Sequence, residues 1–369
     1  MENNTTKVGL DVHKETIVAA VLPLESKRVT DTMKIENMPS NVEKMVKRLA
    51  EQGPVEFVYE AGPCGYDIHR QITKLGHACT VIAPSLIPVR PGDRVKTDRR
   101  DAEKLARLFR AGELTEIRVP TREEEAARDL VRVREDALQD RLRVRHRLGK
   151  FLLRQGRVYR KTKAWGVDHR AWVRTQQFEW ASLQKTFEAF MRAVEETEAR
   201  LATLDQQVYD LAQTDPYRIM VQNLRCLKGI DTLSALTLVV EVQDFRRFER
   251  APALMKMTGL VSSENSSADR IRRGSITKAG NAHLRRVLIE AAWSYQRRNV
   301  TSANLQKRRQ GCPSEVVKIA KKAQDRLHRR YWHLIQRGKP ASTAVVAVAR
   351  ELVGFVWAIA QQSSATMGH

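Results

Sequence analysis

Apolar positions along the first 120 residues alternate between two periods. KVGLDVHKETIVAAVL (7–22) reads as a strand, a short polar turn at Asp11–Glu15 and a second strand, while VEFVYEAG (55–62) and HACTVIAP (77–84) are further β-rich runs. Between them NVEKMVKRLAEQG and GYDIHRQITKLG carry helical spacing and close on Gly53 and Gly76. KTDRRDAEKLARLF adds a helix with apolar residues at Ala102, Leu105, Ala106 and Phe109. Strands alternating with helices predict an α/β sheet for residues 1–120.

Beyond Pro120 the period is helical. Residues 121–156 place Leu130, Leu138, Leu142 and Leu148 among dense charge of both signs, and a second long helix is expected from about Gln176 to Gln213, ending near Pro216. With the basic stretch GRVYRKTKAWGVDHRAW read as the break between them, residues 121–216 are expected to form a coiled-coil hairpin. A mainly helical region follows at 217–300, interrupted by the polar segment VSSENSSADRIRRGSITKAGN, and then a basic helical extension at 301–369. That extension holds TAVVAVARELVGFVWAIA, which Arg350 and Glu351 mark as a packing helix and not a membrane span.

The net charge of +22 is unevenly placed: residues 1–120 hold 19 Lys and Arg against 17 Asp and Glu, and the rest hold 46 against 26. A surplus of +20 on one part of the chain implies a polyanion partner, and 6% aromatic content makes phosphate contacts the expected mode. Cys64, Cys79, Cys226 and Cys312 are too few and scattered for a disulfide framework or zinc cluster. The N-terminus shows no apolar stretch behind basic residues, so a cytoplasmic protein is expected. The chain carries no GxxxxGK[ST] loop, so ATP use is not indicated.

Candidate chemistry rests on carboxylates. Asp11 and Glu60 close two predicted strands, and Asp98 and Asp101 share a helix face by their separation of three. Acids converging from two strand ends and a helix would form the oxygen-rich site Mg²⁺ prefers, suited to phosphoryl transfer. Singly, each acid also reads as a cap or turn residue. In the polar segment Ser262, Ser263, Ser266, Ser267 and Ser275 are interleaved with Arg270, Arg272, Arg273 and Lys278, and Arg285 and Arg286 follow in HLRRVLIEAAW. These cations are candidate phosphate contacts, and the segment itself reads first as a flexible polar loop. A serine hydroxyl needs activation before it attacks anything.

VGLDVHK, VYEAGPCGY, DRVKTDRRDAEKLARL and GLVSSENSSADRIRRGSITKAGNAHLRR together resemble the DEDD transposases of bacterial insertion sequences, the family that contains the Piv invertases, over about residues 7–300. The resemblance implies an RNase H-like, RuvC-type N-terminal domain joined by a coiled coil to a small transposase domain. It implies that Asp11, Glu60, Asp98 and Asp101 are the four carboxylates that bind Mg²⁺. It also implies a serine nucleophile at Ser267, with Ser266 the second choice because Ala268 stands where the family carries glycine. A guide RNA, called the bridge RNA, donor and target DNA, and a dimer or tetramer in which one subunit's acids face another's serine are further implications. A resolvase that hydrolyses DNA through the acids alone, and a non-enzymatic nucleic-acid scaffold, are the alternatives the residues leave open. LKGIDTLSALTL resembles half of a helix-hairpin-helix, with Asp231 at the second glycine position; a plain αα-hairpin is the other reading.

Overall fold

The computed structural model describes residues 5–88, 97–161, 163–265 and 272–367. The chain divides into two compact units, residues 1–120 and 121–369.

The first unit is a five-stranded sheet. Strands β1 (Thr6–Val12), β2 (Thr16–Leu22) and β3 (Asp31–Glu36) run antiparallel in sequence, and α1 (Pro39–Ala50) then crosses to β4 (Val55–Glu60), which lies parallel to β1. After α2 (Asp67–Lys74), β5 (Ala78–Ile82) joins β4 in parallel, giving the order β3-β2-β1-β4-β5. Helix α3 (Asp98–Arg110) completes the unit. Alternation along β2 explains its unbroken apolar run: Ile17, Ala19 and Val21 pack with Val42, Met45 and Val46 of α1, while Val18 and Ala20 pack with Ala102 of α3. A strand covered on both faces has no solvent side to mark with polar residues. The sequence reading missed β3, because this edge strand, DTMKIE, has no fully buried residue and only Met33 and Ile35 join the core.

The second unit begins with α4 (Arg122–Arg154), opened by a Thr121/Glu124 capping box. Helix α5 (Val167–Arg174) lies in the stretch read as a basic break, and α6 (Ala181–Leu211) returns along α4. Arg134 pairs with Asp205, Arg145 with Glu198, and Phe151 stacks on Phe190, so the two long helices run antiparallel. The buried residues of α6, Phe187, Val194, Leu201 and Val208, recur every seven positions. Helices α7 (Arg218–Leu224), α8 (Thr232–Val242), α9 (Ala251–Thr258), α10 (Ala282–Ala292), α11 (Ala303–Arg309), α12 (Ser314–Gln336) and α13 (Ala341–Met367) follow. Residues of α4, α6 to α10, α12 and α13 enter one continuous core, so the segments 217–300 and 301–369 pack together. By length and apolarity Ala341–Ser363 would suffice to cross a membrane. Here its Ala344, Val348, Leu352, Val356 and Ile359 lie in that core, and Glu351 pairs with Arg326 and Arg330 at 2.9 and 3.1 Å.

Glu198 ties the hairpin together by accepting from Arg145 and from Arg170 of α5, the latter at 2.5 Å. Burial alone would raise its carboxyl, but the two arginines outweigh burial and hold it below the usual value of 4.5. A depressed carboxyl stabilises the fold above its unfolded pKa and loses that contribution as pH falls through the lowered folded value. Glu198→Gln is therefore expected to cost about 1.5–3 kcal/mol at neutral pH. The deficit should vanish on acidification, and thermal melts of both proteins across the acid range would check this; a constant deficit would refute it.

Candidate active site

The site forms where α3 packs closely on the sheet. A Cβ on Gly9 would lie 2.2 Å from the Ala102 carbonyl oxygen and 2.6 Å from the Ala106 nitrogen, so α3 packs directly on the β1 backbone. The helix runs opposite to the strand: Lys7 lies over the Phe109 ring, Gly9 meets Ala102 and Ala106, and Asp11 meets the first turn at Asp98. Gly9→Ala puts a methyl group against backbone, which cannot swing aside. We expect a loss of about 1–3 kcal/mol or more in stability. An unchanged thermal midpoint would show that α3 can retreat without cost.

Strand alternation places Asp11 on the same face as Gly9, towards α3. Glu60 occupies the equivalent place on β4: Leu10 pairs with Tyr59, so Glu60 lies one register step on, beside Asp11, and Val58 two residues before it packs on Leu105 of α3. Asp98 and Asp101 sit in the first turn of α3, capped by the Thr97 side chain. Ligand atoms of Asp11, Asp98 and His13 lie within 4.8 Å of one another; the His13 Nε2 is 3.1 Å from Asp11 and 3.7 Å from Asp98. Glu60 and Asp101 stand outside that cluster, although Asp101 acts on Asp11 through its charge. Burial pushes the Asp11 carboxyl up, Asp98 and Asp101 add to the rise, and His13 opposes it. Sequence reading missed His13, although two positions beyond Asp11 is where a continued strand would repeat the face.

The donor set of two aspartates with two further carboxylates nearby is hard and oxygen-rich, and the crowding of like charge around Asp11 is what a cation would relieve. These residues fit a divalent ion.

The polar segment is not wholly a loop. Strands β6 (Ser262–Glu264) and β7 (Arg273–Ile276) form an antiparallel ribbon, with Asn265 N–H donating to the Arg272 carbonyl. Thr277 and Lys278 donate back to Val261 and Gly259, and Asn281 to Met257, closing the ribbon's base. A Cβ on Gly280 would meet the Met257 carbonyl at 2.2 Å, so glycine is required there. Ser266, Ser267 and Arg270 lie outside the described residues, as does the side chain of Arg273. Lys278 is exposed with φ +56°. Arg272 is exposed, Arg285 donates to the Thr258 carbonyl at 3.0 Å, and Arg286 is engaged with Glu135 and Glu290 at 2.7 and 3.1 Å. The buried Glu241, which no sequence motif marks, accepts from Arg132 at 2.7 and 2.9 Å and from Asn281 at 2.6 Å, joining α4 and α8 to the start of α10. LKGIDTLSALTL runs from just after α7 into α8, and Asp231 caps α8 by accepting the Ser234 N–H.

A transposase model of the DEDD type matches residues 8–155, and one described as the transposase IS116/IS110/IS902 family matches residues 221–307. Two relatives extend this over nearly the whole chain. "Putative transposase y4qE" of Sinorhizobium fredii is 39% identical over 97% of this chain and 89% of its own length. The transposase for insertion sequence element IS1533 of Leptospira borgpetersenii is 35% identical over 90% and 97%. The chain belongs to the IS110/IS116 transposase family. It is thus an insertion-sequence transposase, an enzyme acting on DNA, and the non-enzymatic scaffold reading falls away. The transposase for insertion sequence element IS1328 of Yersinia enterocolitica is more distant, at 24% over 68% of this chain and 77% of its own.

Proposed function

We propose that this transposase cuts and rejoins DNA through a serine nucleophile, Ser267, assisted by a DEDD site of Asp11, Glu60, Asp98 and Asp101 on an RNase H-like sheet. The observation that carries this reading is the convergence of Asp11 and Asp98 from separate elements, with Glu60 in register beside Asp11. The sheet order, three antiparallel strands continued by two parallel ones, supports the RNase H-like assignment, and the seven-residue recurrence in α6 supports a coiled coil.

The four carboxylates would hold Mg²⁺, which when bound supplies charge stabilisation at a scissile phosphate. In the step itself the serine oxygen forms a bond to phosphorus, its proton passes to solvent or a neighbouring base, and the scissile P–O bond breaks with a DNA hydroxyl leaving. Rejoining reverses this on a second hydroxyl. One phosphoester replaces another, so no ATP is needed. Arg270, Arg272, Arg273, Lys278, Arg285 and Arg286 follow the serine in the chain as candidate phosphate contacts, of which Arg286 would have to share its guanidinium with Glu135 and Glu290. The surplus of +20 beyond residue 120 suits a guide RNA as well as DNA, and the family resemblance supports such an RNA, a homo-oligomer and a bacterial cytoplasmic setting.

Incubation of the purified protein and its co-purifying RNA with element-end DNA and Mg²⁺ tests this. A denaturation-resistant protein–DNA adduct is expected. Mg²⁺-dependent cutting without one would support the hydrolytic resolvase chemistry instead.

A further inference from the structure

The end of α6, helix α7 and helix α11 enclose a cavity of about 820 Å³ lined by Arg218, Arg225, Lys307 and Arg308. Among the described residues that line it none is acidic and none aromatic. Two aspartates stand close by. Asp215 meets Arg218 at 3.5 Å, with both side chains largely exposed, and Asp231 already accepts the Ser234 N–H at the start of α8.

The two inner arginines are held unusually. Arg308 donates to the Ile230 carbonyl at 2.6 Å, but its Nε and that of Arg225 are shut off from water with no hydrogen-bond partner. Burial and the neighbouring Arg225 both push the Arg308 guanidinium down from its usual value, and the Asp231 carboxylate opposes them without cancelling the fall. Two neighbouring, half-buried guanidinium groups, each with its Nε cut off from water, carry a desolvation and repulsion cost that proteins ordinarily offset with carboxylates. Here a further cation, Lys307, adds to them. An anion from outside the chain would offset that cost, and the guanidinium fork matches phosphate oxygens. With no aromatic residue in the lining there is no platform for stacking a base, so recognition would be of the backbone and independent of sequence.

We propose that this cavity is a phosphate-binding site for a nucleic-acid backbone, in which Arg225, Lys307 and Arg308 hold phosphodiester oxygens and Arg218 closes the rim. This rests on the nucleic-acid partners of the proposed function but not on its serine or metal chemistry.

The test is binding by the full chain in EDTA, where no strand cutting is expected, to a labelled random-sequence duplex DNA and to a single-stranded RNA across a salt series. Lys307 is exposed, so Lys307→Gln leaves the fold intact, and Arg225→Gln adds the inner position. If the duplex occupies the cavity, each substitution should lower the log–log salt slope by about 0.9 on DNA; if RNA does, the drop should be about 0.7 on RNA. The double variant should lose about twice as much. Unchanged slopes on both probes, with wild-type binding intact, would overturn the cavity assignment and leave the proposed chemistry standing. A wild-type chain that bound neither probe would overturn both.

Discussion

Asp11→Asn protein is expected to bind nucleic acid as the wild type does and to cut it slower by a factor on the order of 10² to 10³ or more, the scale of losing one preorganised electrostatic contact. The substitution removes a single charge from a crowded place. Burial disfavours the Asp11 carboxylate, Asp98 and Asp101 repel it, and only His13 helps it. Stability in the absence of metal should therefore hold or rise slightly. Mg²⁺ should raise the thermal midpoint of wild-type protein, since a ligand that binds only the folded state stabilises it, and should not do so for the variant. Two results would defeat the assignment: cutting at the wild-type rate, or a retained Mg²⁺ shift alongside lost cutting, which would place the ion elsewhere. Nucleic-acid affinity is expected to survive because the positive surplus lies beyond residue 120.

What could be read from the sequence followed from how strongly each element advertises itself. β1, β2, β4 and β5 are covered by helices or neighbouring strands and show it as apolar runs, so their positions and the ends carrying Asp11 and Glu60 were legible. β3 was not, because an edge strand with alternating polar residues looks like a loop. The spacing of Asp98 and Asp101 gave their common helix face, but nothing local says that the helix meets β1. That follows from Gly9, a small residue whose role appears only when α3 is seen lying against it. His13 was hidden for a related reason: it belongs to no histidine motif and joins Asp11 and Asp98 only in three dimensions. The ribbon of β6 and β7 looks like a loop in the sequence because strands of three and four residues are too short to carry a period. The Glu241 network was likewise invisible, since its partners Arg132 and Asn281 lie 109 and 40 residues away.

Ser267→Ala is expected to abolish both the denaturation-resistant DNA adduct and all strand joining, while fold and binding stay as they are. The substitution removes one hydroxyl, and the expected change in stability is within about 0.5 kcal/mol. The described strands before and after this segment are paired. The segment containing Ser267 leaves β6 and returns through β7, the Asn265 N–H to Arg272 carbonyl bond sits at its near end, and the base is locked where Gly259 and Gly280 admit no side chain. Gly274 is under a weaker constraint, because a Cβ there would meet only the Ser263 hydroxyl, at 2.4 Å, and that side chain can rotate away. The flanking ribbon is pinned at its base without the serine hydroxyl, so losing that hydroxyl is expected to remove chemistry and leave the ribbon as it is. Ala268 is what keeps the neighbouring residue in contention, since a glycine there would have licensed a turn that alanine adopts only with strain. An adduct that persists in Ser267→Ala and disappears in Ser266→Ala would move the nucleophile by one residue. An active wild-type protein that never forms the adduct would transfer the whole reaction to the four carboxylates, Asp11, Glu60, Asp98 and Asp101, acting by hydrolysis.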